Sequence, residues 1–268
     1  MSRFNELGGL SRTLVRPPAD RPGVVRAIAT VVFSVVMVST LGRAFATATS
    51  LALRDGGLVL MEMSCIAAPA LWLARAGRLD AAWIFRLKMP GASTLAPTIL
   101  IAMSGYVLAG SIEEWTQRLF GPLPVLDWEP YAPTGGLELA AALLALVVAP
   151  AVAEELLYRG CVLRALEPLG PRLPVSLLVG AIFAAAHLSP GTFPAHFFLG
   201  SAITFVVMCA DSIYSGMAIH AGVNGIAVVL WRSELIEGLP DNAAANLAAA
   251  ACFSCGAVWL ARGPRSRS

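Results

Sequence analysis

Apolar positions in this chain form neither the one-sided stripe of an amphipathic helix nor the alternation of a half-buried strand. They run on almost uninterrupted. Such runs occur at roughly 24–42, 57–74, 93–110, 137–158, 174–190, 195–210, 213–231 and 243–261. Most are long enough to cross a hydrocarbon core of ~30 Å. Within lipid a backbone must satisfy its own hydrogen bonds, so each run predicts a helix. The pattern therefore predicts an all-α, polytopic membrane protein of about eight transmembrane helices. The runs at 174–190 and 195–210 are the shortest. The "SPGTFPA" between them reads as a tight external loop or as a break inside the membrane.

Composition agrees. Of 268 residues, 57% are hydrophobic and 13% are charged, about half the charge of a soluble domain. A net charge of +2 gives no reason to expect a nucleic-acid partner. The placement of the charges says more. With the N-terminus inside, all of the 19 basic residues except Arg43, Arg54, Arg118 and Arg232 fall in segments that eight spans leave on one side. By the positive-inside rule both termini are then cytoplasmic. Residues 1–23 are polar, Arg-bearing and Pro-rich, with no apolar core leading to a cleavage site, so they read as a cytoplasmic tail rather than a signal peptide. The five cysteines lie in or beside apolar segments and are expected as buried free thiols. Cys252-x-x-Cys255 has no nearby His or second Cys pair and does not read as a metal or redox site.

Two stretches share one charge pattern, "EEWTQR" at 113–118 and "EELLYR" at 154–159. The first belongs to a hydrophilic, acidic connection at 111–136, with Glu113, Glu114, Asp127 and Glu129 and four prolines. At such a water interface Glu114 and Arg118 are an i,i+4 pair worth about 0.3 kcal/mol, and they need no function. Glu154 and Glu155 instead follow some fifteen nearly uncharged residues. A charge at the centre of a membrane helix costs about 3 kcal/mol even on lenient scales, so an ionisable group there is a functional candidate. Helical spacing puts Glu155 one turn from Arg159, which can neutralise it. Glu154 points about 100° away, with no local cation, where a carboxylate suits the work of a general base.

The three histidines, His187, His196 and His220, all follow the Glu pair. "FAAAH" sets His187 one turn after Phe183, and "HAGVN" sets His220 and Asn224 on one helix face. Polar groups at that depth must find partners in each other or in water inside the bundle. His196, in "TFPAHFF", has no polar neighbour at helical spacing and stays outside the candidate set. Glu62 is a further intramembrane acid, and Asp211 reads as a turn or cap residue.

Glu154-Glu155-x-x-x-Arg159, Phe183-x-x-x-His187 and His220-x-x-x-Asn224 thus occur in order on successive apolar helices. In this the chain resembles the CAAX protease and bacteriocin-processing (CPBP) family of intramembrane proteases, related to the type II CAAX prenyl endopeptidases. Gly160 and the "SIYSGMAIHAGVNG" entry to the last motif strengthen the likeness, which covers roughly 137–231. The resemblance implies an intramembrane catalytic cavity in the cytoplasmic half of the bundle. It also implies endopeptidase activity on a membrane-associated or lipidated protein or peptide. Residue by residue it implies that Glu154 activates water with His187 beside it. His220 and Asn224 would hold that water or the oxyanion, while Glu155, Arg159 and Phe183 support the site.

Glu154, His187 and His220 could together bind zinc with an open position for water. There is no H-E-x-x-H, however, and a ligated Glu154 is no longer a free base. A glutamate-type mechanism without a cofactor is the favoured reading, with zinc as the alternative. The expected organisation is a cytoplasmic tail (1–23), N-terminal spans with an acidic loop (24–136), a catalytic core (137–231), and a last span with a basic cytoplasmic tail (232–268). A prokaryotic inner or plasma membrane is the expected setting. A non-catalytic immunity or scaffolding protein of the same fold is the competing function, and a proton-coupled transporter a third. One geometric tension remains. If its helix starts at Pro174, His187 lies about 20 Å from the cytoplasmic side, while Glu154 and His220 need be only about 10 Å deep.

Overall fold

A computed structural model of the chain describes residues 21–46, 50–121, 135–232 and 243–262. The expected tail before residue 21, the basic C-terminal tail, and Asp127, Glu129 and the four prolines of the acidic connection lie outside the described residues. Within them there is no strand. The helices are α1 (Val24–Ala46), α2 (51–76), the short α3 (Ala81–Ile84), α4 (Ala92–Phe120), α5 (Gly136–Leu169), α6 (Arg172–Ala186), α7 (Phe193–Ala210), α8 (Ile213–Arg232) and α9 (Ala243–Arg262). Seven of them are long and apolar enough to cross a membrane, and α6, apolar but only 15 residues long, is the eighth element of the pattern. The chain is an integral membrane protein.

Three boundaries differ from the apolar runs, each because charge ends a run without ending a helix. α2 begins at Leu51, ahead of its apolar run, because Arg54 and Asp55 are buried and pair with each other at 3.4 Å. α4 runs on through "EEWTQR" to Phe120 and stops at Gly121, whose φ of +79° suits glycine alone. The expected hydrophilic connection from 111 is therefore helical in its first third. At 29 residues α4 is about 43 Å long, so its last turns overshoot the hydrocarbon core. α5 likewise continues past Arg159 and Arg164 to Leu169.

α5 is the central element, packed on α2 and on α8, and α4 backs α7, α8 and α9. The pairing of α6 with α7 depends on small residues. A Cβ on Gly180 would lie 2.1 Å from the Ser201 hydroxyl oxygen, and one on Gly200 would lie 2.8 Å from the Phe183 ring. Close backbone approach of this kind is how membrane helices associate when burial of apolar surface gives no drive. At one end of the bundle Arg86 binds Glu167 and Asp211, the latter at 3.1 Å. Beside it Arg164 donates to the Trp83 carbonyl and to Glu167. Asp211, expected as a turn residue, is left-handed at the end of α7 and also a partner in this network. The thiols are all free, but only Cys65 and Cys161 are buried. Cys252 and Cys255 are exposed on α9, facing away from the bundle, which corrects the expectation of five buried thiols.

Candidate active site

The site grows from irregularities in two helices. In α5, Leu144–Val148 and Leu156–Val162 are π-helical, and in α2 the π-helical stretch is Glu62–Ala67. Such turns widen a helix and recur at functional positions. The first has a readable cause. Pro150 has no N–H to offer the carbonyl of Leu146, four residues back. The carboxamide of Asn224 on α8 donates to that carbonyl at 3.0 Å. Asn224, expected to hold water or an oxyanion, thus spends one amide proton tying α8 to α5.

One turn farther along, Glu155 and Arg159 are completely buried. Arg159 Nη1 donates to Glu155 Oε1 at 2.6 Å, Nη2 to the Gly200 carbonyl at 3.0 Å, and Nε to the Thr204 hydroxyl at 3.2 Å. Its guanidinium also lies 4.8 Å from the centre of the Phe183 ring. The pair therefore fixes α5 to α7 as well as neutralising itself. Gly216 makes room for it, since a Cβ there would lie 2.6 Å from Glu155 Oε2.

His220 joins the two carboxylates. Its Nδ1 donates to Glu155 Oε1 at 3.0 Å, and its Nε2 faces Glu154 Oε2 at 3.8 Å. With Nδ1 donating to a carboxylate, the neutral ring presents the lone pair of Nε2 to Glu154. The separation is too long for a direct hydrogen bond. Glu154 Oε2 and Glu62 Oε2 are sealed from the surface and accept no hydrogen bond among the described residues. Glu154 is thus the carboxylate Arg159 leaves aside, but it has an imidazole across from it.

Phe183 is the hub. Its ring touches His187 at 4.7 Å, Tyr158 at 5.1 Å, and His196 and His220 at 6.2 Å between centroids. The depth mismatch disappears once α5 is seen to run to Leu169. Glu154 lies fifteen residues before that end, and His187 fifteen residues after Arg172, where α6 begins. Both are about 22 Å from the turn joining these helices. His187 itself sits just past the end of α6, its Nδ1 bonded to the Phe183 carbonyl at 2.9 Å.

Sequence reasoning left out His196, and the structure sets its ring 3.9 Å from that of His187. Its partner is across a helix pair, where spacing within one helix gives no signal. Tyr158 was also missed, although it lies one turn from Glu154 in "EELLYR". Thr204 and the Gly200 and Leu146 carbonyls carry no local sequence signal. Glu154, His187 and His220 do not converge as ligands, and no group of three or more His, Cys, Asp or Glu among the described residues is arranged to hold a metal. Two cavities of about 640 and 180 Å³, lined by Arg26 and Leu73 among others, lie between α1 and the end of α2, away from these side chains. Within the candidate site Glu155, Arg159, Phe183 and His220 are buried, while Glu154, His187, His196 and Asn224 are partly exposed.

This cluster falls inside a segment with a known pattern. Residues 136–226 match the family of type II CAAX prenyl endopeptidase Rce1-like proteins. The Rce1-like segment begins at the start of α5 and ends in α8, so it takes in Glu154, Glu155, Arg159, Phe183, His187, His196, His220 and Asn224. It leaves out Glu62 and the first four helices. The similarity to that family is confined to this segment, about a third of the chain. No curated protein and no solved structure matches the chain.

Proposed function

We propose that the chain is an intramembrane endopeptidase that hydrolyses a peptide bond in a membrane-associated or lipidated protein by glutamate-activated water. The observation that carries this is the Glu154–His220–Glu155–Arg159 array. Arg159 fixes Glu155, Glu155 fixes the tautomer of His220, and His220 presents Nε2 to a Glu154 carboxylate with no cation of its own. Glu154 takes a proton from water as the oxygen attacks the scissile carbonyl. The second amide proton of Asn224 stands ready to stabilise the oxyanion, and the Nε2 lone pairs of His187 and His220 accept from the water and hold it. No step passes through a metal. Family likeness and the basic residues at one end of the bundle favour a site reached from the cytoplasmic side, with both termini in the cytoplasm.

The test is cleavage by the full chain, in lipid nanodiscs, of an internally quenched farnesylated peptide ending in Cys-aliphatic-aliphatic-X. Turnover by the wild type and none by Glu154→Gln is the expected result. Equal turnover by the two would sink the mechanism. A wild type that cleaves neither this peptide nor any native membrane protein would leave the non-catalytic reading.

A further inference from the structure

The two cavities between α1 and the end of α2 share Arg26, Leu73 and Gly77 in their walls, so they are two ends of one groove. The smaller, about 180 Å³, opens beside Arg21 and Gly23, just ahead of α1. The larger, about 640 Å³, continues between Phe33, Ala68 and Trp72 as far as Ser64. That volume is within the range of ~300–1,000 Å³ in which proteins hold small ligands. From Gly77 to Ser64 the groove follows α2 for about 20 Å. It therefore reaches past the middle of a hydrocarbon core of ~30 Å.

Its two ends differ in chemistry. At the mouth the Arg21 guanidinium lies 5.8 Å from the centre of the Trp83 ring, close enough to be held there. Arg26 stands in the first turn of α1, where the helix amides have no carbonyl of their own to bond. No acidic residue lines either part of the groove, and no described carboxylate pairs with Arg21 or Arg26. Farther in, the wall offers almost nothing polar. The hydroxyls of Thr30 and Ser64 donate to the backbone carbonyls of Arg26 at 2.8 Å and Leu60 at 2.6 Å. Water gains little from such a wall, whereas hydrocarbon fills it.

We propose that this groove binds one anionic phospholipid, with its phosphate between Arg21 and Arg26 and an acyl chain along Phe33, Ala68 and Trp72. A free anion would leave the apolar trough empty. A lipid without net charge would leave the uncompensated guanidinium charge at the mouth, and basic residues at a membrane surface select anionic lipid. The groove lies wholly outside residues 136–226, and the proposal does not depend on how Glu154 acts.

The test is native mass spectrometry of the full chain in detergent, titrated with phosphatidylglycerol or with phosphatidylcholine of the same acyl chains. The wild type should retain one phosphatidylglycerol in preference to phosphatidylcholine. The double variant Arg21→Gln/Arg26→Gln should bind phosphatidylglycerol about 30-fold more weakly, the effect of removing two arginines from an anionic lipid, and should lose the preference. Ala68→Trp, which fills the trough and keeps both arginines, should bind neither lipid at the wild-type level. Equal retention of the two lipids by the wild type overturns the proposal, as does an unchanged preference in either variant. Displacement of phosphatidylglycerol by excess inorganic phosphate would reduce the mouth to a simple anion site and also overturns it. Displacement by the farnesylated peptide would give the trough to the substrate's chain and overturns it too.

Discussion

The two Glu-Glu-x-x-x-Arg stretches form the same ion pair and differ in everything around it. At the end of α4, Arg118 pairs with Glu114 where their side chains are 55% and 41% exposed. Midway along α5, Arg159 pairs with Glu155 at 0% for both. The exposed pair is solvated and screened, as most surface pairs are. The buried pair has shed its water and is made good by the Gly200 carbonyl, the Thr204 hydroxyl, the Phe183 face and His220. Identical local chemistry is a surface ornament in one place. In the other it is a scaffold that orients an imidazole toward a second carboxylate.

Substitutions can break that contrast in graded steps. The largest effect is expected for Glu154→Gln, which should cost about 10²–10⁴-fold in turnover while leaving the melting temperature in detergent close to wild type. Next come Arg159→Ala and Glu155→Gln, each of which leaves a buried group without its partner. These should cost about 3–5 kcal/mol of stability, read as a lower melting temperature and poor yield, with activity lost as a consequence. Asn224→Leu should cost about 1–3 kcal/mol by orphaning the Leu146 carbonyl. A second change sharpens that case. Pro150→Ala gives the carbonyl a backbone N–H again, so the double variant should lose less than Asn224→Leu alone. The smallest effects belong to the first stretch, where Glu114→Gln or Arg118→Ala should shift stability by less than about 0.5 kcal/mol. A large loss there would remove the contrast.

Much of the fold was legible because the bilayer leaves few choices. Eight uninterrupted apolar runs map one to one onto helices, and the short run at 174–190 is the short helix α6. Pairing of Glu155 with Arg159 followed from helical spacing. What could not be read was anything that crosses between helices. His196 looked isolated because its contact with His187 joins α7 to the end of α6. The tie of Asn224 to α5 gave no signal because it depends on a proline 74 residues earlier. The depth of His187 looked wrong because the charges at Arg159 and Arg164 seemed to mark the end of a helix that runs on to Leu169. Charge reports the edge of an apolar run, and a helix longer than the bilayer passes through that edge.

The central claim is that Glu154, and not its ion-paired neighbour, does the chemistry. The most direct measurement compares the N- and C-termini of membrane proteins by mass spectrometry, in cells carrying the wild-type chain and in cells carrying Glu154→Gln at equal abundance. The account predicts at least one terminus that appears only with the wild type, generated by hydrolysis next to a membrane or lipid anchor. Identical termini in the two cell populations, from a wild-type chain that is folded and inserted, would contradict it.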